Sequence, residues 1–121
     1  MDAKGVPICH LTKAEIERWS ADLRISKATL YDQVAHYVAS GFNDHELPFW
    51  FCDAIVNDIH GIITLADEIR PDLFWRVFLA FDAGEYYRRE DGKQDPVVKY
   101  TRPLIEQIIR EEGLFRDREL G

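Results

Sequence analysis

Residues 48–70, PFWFCDAIVNDIHGIITLADEIR, carry the pattern that decides the fold. Phe51, Cys52, Ile55, Val56, Ile59, Ile62, Ile63, Ala66 and Ile69 recur at helical spacing and hold one apolar face over about six turns. Pro48 suits a helix start, and Pro71 disfavours the α region for the residue before it, so the spacing predicts a helix from Pro48 to Arg70. Gly61 falls inside it and costs ~1 kcal/mol against alanine, which a helix anchored on its other face tolerates.

Toward the N-terminus, Thr12 and Glu15 stand at capping-box spacing, and Ile16, Trp19 and Leu23 continue a first helix from Lys13 to Leu23. Ser26 caps a second, whose stripe of Leu30, Tyr31, Val34 and Val38 is expected to stop at Gly41. Toward the C-terminus, Pro71 opens a fourth helix that is apolar almost all round from Leu73 to Phe81, which places it centrally; it is expected to run on through Tyr86 and Tyr87. Asp95 and Pro96 open a fifth, with Val97, Val98, Thr101, Leu104, Ile105, Ile108 and Ile109 on one face up to Gly113 and a kink at Pro103. No strand-like alternation or solenoid repeat intervenes. The pattern predicts an all-α fold, a compact five-helix bundle or orthogonal helical array. It is expected to form one soluble domain over residues 1–121, with 1–11 and 114–121 as flexible extensions.

At 121 residues and 46% apolar content, the chain has core material for one domain. Its start lacks the pattern of a secretory signal and no run is long enough to span a bilayer, so a cytoplasmic, non-membrane protein is expected. Cys52 lies on the apolar face and reads as a core residue; Cys9, beside His10, reads as a thiol poorly placed to act as a nucleophile.

The charge is uneven. From Ala28 to Ile69 there is no Lys or Arg, yet Asp32, Asp44, Glu46, Asp53, Asp58, Asp67 and Glu68 lie there, and these seven account for the net charge of −7. On the third helix, Asp53, Asn57, His60, Thr64, Asp67 and Glu68 fall within about 100° of one another, opposite the isoleucines, with Trp50 on the same side. On the second helix, Asp32 and His36 stand one turn apart.

A one-signed surface repels phosphate and attracts bases, so a basic protein partner is favoured over nucleic acid. Tyr86-Tyr87-Arg88-Arg89 is the one stretch suited to phosphate, and paired arginines at a helix end more commonly answer the helix dipole or neighbouring acids. The chain therefore reads as an acidic protein-protein interaction module with Trp50, Asp53, Asn57, His60, Thr64, Asp67 and Glu68 as the partner-binding residues. Immunity proteins, small acidic helical proteins that neutralise basic toxins, illustrate the class by size, charge and helicity. One alternative is a metal-binding or hydrolytic protein using Asp53 and His60 in an inter-helix groove, although neither belongs to an HExxH or ExxH arrangement. Another is a self-associating accessory protein, with a homodimer covering Phe49, Trp50, Phe74 or Trp75. There is no Gly-rich phosphate loop, nucleophile elbow or cofactor fingerprint, so no cofactor, catalytic residue or metal ligand is assigned.

Overall fold

A computed structural model describes residues 12–113; Cys9, His10 and the two expected flexible extensions lie outside the described residues. Five α-helices occur among the described residues and no strand does: α1 (Lys13–Leu23), α2 (Lys27–Asn43), α3 (Phe49–Leu65), α4 (Asp72–Asp82) and α5 (Arg102–Glu112). The fold is all-α and single-domain. No helix among the described residues is long and apolar enough to cross a membrane.

The sequence signals at the N-terminal end act as expected. The Glu15 backbone N–H donates to Thr12 Oγ1 and the Thr12 N–H to Glu15 Oε1, both at 3.2 Å, closing the capping box of α1. The Thr29 N–H donates to Ser26 Oγ at 3.1 Å and starts α2.

Helix α2 does not stop at Gly41 but runs on to Asn43. Gly41 instead lets the following loop fold back: the Glu46 and Leu47 N–H groups both donate to its carbonyl, and a Cβ there would lie 2.4 Å from Leu47 Cδ1. His45 takes the left-handed conformation in its place.

Helix α3 ends at Leu65, five residues before the expected Arg70. Asp67 adopts φ 55°, its N–H donates to the Thr64 carbonyl and that of Glu68 to the Ile63 carbonyl, which is a Schellman stop with aspartate in the usual glycine position. The stop turns the Glu68 side chain inward, where it accepts from Tyr31 Oη at 2.8 Å and from Lys27 Nζ at 3.2 Å. Ile69, expected in the core, is 90% exposed.

Helix α4 is central, packing against α2, α3, α5 and the segment before α5. Pro71 offers no side chain to cap it, and the service comes from another helix: Asp32 Oδ1 of α2 accepts from the Phe74 N–H at 3.0 Å. Phe74, Val77, Phe78, Ala80 and Phe81 are buried. The helix does not continue to Tyr87. It ends at Asp82, where buried Gly84 lies so close to Thr101 that a Cβ would sit 2.3 Å from Thr101 Oγ1. A 3-10 turn follows at Arg89–Asp91.

The last helical run opens with a π turn over Val97–Thr101 and passes directly into α5. The Arg102 N–H reaches back five residues to the Val97 carbonyl, and exposed Pro103, which has no N–H to continue that series, follows directly at the start of α5. The wide turn thus stands immediately before Pro103, where a kink is expected. Thr101, Ile105, Ile108 and Ile109 are buried, while Val98 and Leu104, expected on the same face, are exposed: Val98 lies in the wide turn and Leu104 at the edge of the buried face of α5.

Candidate interaction surface on the third helix

The inward side of α3 buries Cys52, Ile55, Val56, Ile59 and Ile63. The Cys52 thiol points at the Val38 carbonyl of α2, 3.6 Å away, and burial pushes its pKa up to about 12, so it is a packed core group and not a thiolate. Of the four aromatics considered for self-association, Phe74 is fully buried, Phe49 and Trp75 pack partly buried against the core, and Trp50 is 49% exposed.

The seven residues of the expected stripe divide into two groups. Trp50, Asn57, Thr64 and Asp67 are exposed and Asp53 is half-buried. His60 and Glu68 turn toward the rest of the molecule. The His60 ring stacks on Phe78 at 4.3 Å and 13° and on Trp75 at 5.8 Å, with Arg70 lying 4.0 Å over the outer Trp75 ring. Glu68 joins α2 to the α3–α4 turn through Tyr31 and Lys27. The Tyr31 hydroxyl is held above its usual range, first by burial and then by its bond to Glu68.

Asp53 meets a residue that no helical pattern assigns to it. Asn57 Nδ2 donates to Asp53 Oδ1 at 3.2 Å and to Glu85 Oε2 at 2.8 Å, drawing together two carboxyl groups from α3 and from the turn after α4. Burial first, then the hydrogen bond and charge of Glu85, push Asp53 up to about 8, with Asp82 adding to the effect and the Asn57 amide opposing it. Proximity to a second carboxyl thus disfavours the ionised form of Asp53. Asp53 and His60 consequently point to different neighbours, and no group of three or more His, Cys, Asp or Glu side chains among the described residues is arranged to hold a metal ion.

Elsewhere in the basic-free span, Asp32 and His36 also part company. Asp32 faces the N-terminus of α4, and its pKa is raised by burial against the opposing effect of the Phe74 N–H. His36 faces outward and lines an open groove of about 520 Å³ with Gln33, Tyr37, Ser40, Glu46 and Leu47, a feature created by the Gly41 fold-back. Arg88 is occupied within the fold: its guanidinium lies 3.9 Å over Tyr100 and 4.5 Å over Tyr86 and donates to the Ala83 carbonyl at 2.9 Å, answering the C-terminal dipole of α4.

No family model matches this chain, and neither the curated proteins nor the solved structures contain a significant match to it.

Proposed function

We propose that this chain is an acidic helical protein-protein interaction module that docks a basic protein partner on the outward side of α3. The observation that carries the reading is the Asp53–Glu85 pair. Two carboxyls from separate elements are pressed together beside exposed Trp50 and bridged by a neutral amide, an arrangement that is costly at neutral pH unless a proton or an incoming cation relieves it. A lysine or arginine from a partner supplies that relief, and the absence of any Lys or Arg from Ala28 to Ile69 leaves the local field negative on approach. Trp50, large and half-exposed, suits the role of an aromatic anchor.

The surface that this reading uses comprises Trp50, Asp53, Asn57, Thr64, Asp67 and Glu85; His60 and Glu68 support it from beneath. The test is capture from an extract of the source organism by the tagged protein and by an Asp67→Lys/Glu85→Lys variant, at low and at raised salt. A basic protein retained by the wild type, weakened by salt and lost from a variant of unchanged helicity is the expected result. Equal capture by the variant, or a captured set with no basic member, removes the reading.

A further inference from the structure

The groove beside α2 is a built feature. One wall is the outer face of α2, where Gln33, His36 and Tyr37 stand at i, i+3 and i+4, and the other is the returning loop with Glu46 and Leu47. That loop is fixed in place. The Asp44 N–H donates to the Ser40 carbonyl at 3.0 Å, the His45 N–H to the Phe42 carbonyl at 3.1 Å, and the Glu46 and Leu47 N–H groups to the Gly41 carbonyl at 2.8 and 3.0 Å. Two local costs go into it: a glycine inside α2, and a histidine, His45, at φ 62°. The resulting volume of about 520 Å³ falls within the range of small-ligand sites, roughly 300–1,000 Å³.

The chemistry of the lining selects a cation with a flat face. No Lys or Arg lines the groove and none occurs from Ala28 to Ile69, so an anion finds no counter-charge there. Elsewhere the chain covers ring faces with its own arginines: Arg70 lies 4.0 Å over Trp75, Arg88 3.9 Å over Tyr100 and 4.5 Å over Tyr86, and Arg102 4.2 Å over Phe42. Tyr37, in the groove, receives none. Its side chain is 58% exposed and, among the described residues, has no hydrogen bond, ion pair or ring contact. The Gln33 and His36 side chains beside it are likewise unengaged, and they offer an amide oxygen and a ring nitrogen as acceptors within one helical turn. Ser40 and Glu46 have interactions of their own, and the selection does not depend on them.

We propose that this groove receives an arginine side chain of the basic partner, its guanidinium lying flat on the Tyr37 ring and donating to Gln33 and His36. The proposal rests on the basic-partner reading and adds to it a second contact area, on α2. Arginine suits the groove better than lysine for two reasons. Its planar group stacks on a ring and fits between two walls, and its five N–H donors serve several acceptors at once. An ammonium is a compact, strongly hydrated point charge that gains less from either.

The test is titration of the full chain at low salt with end-blocked Gly-Arg-Gly, with its citrulline counterpart, which is neutral and nearly the same shape, and with Gly-Lys-Gly, followed by backbone amide shifts. The arginine peptide is expected to move the amides of residues 33–47 most and to bind at least about threefold more tightly than either of the others. Tyr37→Ala is expected to weaken it by roughly three- to fivefold with helicity unchanged, while Tyr37→Phe, which keeps the ring face, retains it. Equal binding of the citrulline or the lysine peptide, unchanged affinity of Tyr37→Ala, shifts centred outside residues 33–47, or no shift at all would each overturn the groove and leave the basic-partner reading to the capture experiment. Arginine binding as expected with no basic protein captured overturns the partner, and the groove is then a site for arginine alone.

Discussion

Two pairs of carboxylates in this molecule do opposite things. Asp32 and Glu68 each receive a donor from another element, the Phe74 backbone N–H for one and the Tyr31 hydroxyl with the Lys27 ammonium for the other. Asp53 and Glu85 receive each other, with one amide between them. The first pair lies where helices join: Asp32 supplies the cap that Pro71 cannot give α4, and Glu68 ties the α3–α4 turn to α2. The second faces outward, and its mutual repulsion is what a bound cation would remove. An acidic count therefore does not measure an acidic surface: part of it is structural, and at Asp53 burial and a neighbouring carboxyl oppose the charge.

The comparison can be broken by removing one member at a time. The largest effect is expected from Glu68→Ala, which strips the buried Tyr31 hydroxyl of its acceptor and should cost about 1–3 kcal/mol in urea unfolding. Tyr31→Phe combined with it should recover part of that loss.

Asp53→Asn is expected to act in the other direction and to depend on pH. The folded pKa of Asp53 is raised, so its favourable contribution is complete below the ordinary carboxylate value and is lost as pH rises through about 8. Between pH 5 and pH 9, wild type should lose on the order of 1–2 kcal/mol more than Asp53→Asn. This is well under the full linkage value because the pair is half open to solvent. Parallel pH profiles for the two proteins would show that folding does not raise the pKa of Asp53.

Asp32→Ala should cost about 1 kcal/mol, the ordinary value of a lost N-terminal cap, despite a separation of 42 residues from the N–H that it serves. Hydrogen exchange at Phe74 should accelerate with it. Asp32→Asn, which keeps an acceptor, should retain most of the stability.

Much of the architecture was legible in the chain because its signals are local. The Thr12–Glu15 box, the Ser26 cap, the isoleucine period from Ile55 to Ile63 and the all-round apolarity of Leu73–Phe81 each act over one to a few turns, and each appears where its spacing places it. The helix ends were less legible. Gly41 has the composition of a stop, yet it is spent on Leu47, whereas Asp67 makes a left-handed stop that glycine would more commonly make. Val98, in phase with Thr101 and Ile105 by α-helical spacing, lies in a π turn and is exposed.

The candidate site was half legible for the same reason. The ~100° advance per residue correctly groups Trp50, Asp53, Asn57 and Thr64 on the non-isoleucine side of α3. The same rule cannot show that His60 at the edge of that side meets Phe78, or that Glu68 has left the helix. Glu85 was out of reach, being 32 positions from Asp53 and carried on a turn whose place depends on Gly84 fitting against Thr101.

By itself, then, the sequence determined that this is an all-α chain, where its strongest helices lie and that its excess acid is confined to Ala28–Ile69. Those properties follow from backbone periodicity and composition, which act within a segment. Tertiary structure alone decided which acids are spent inside and which stand outside, because a carboxylate's partner is chosen by what another element brings within about 3 Å.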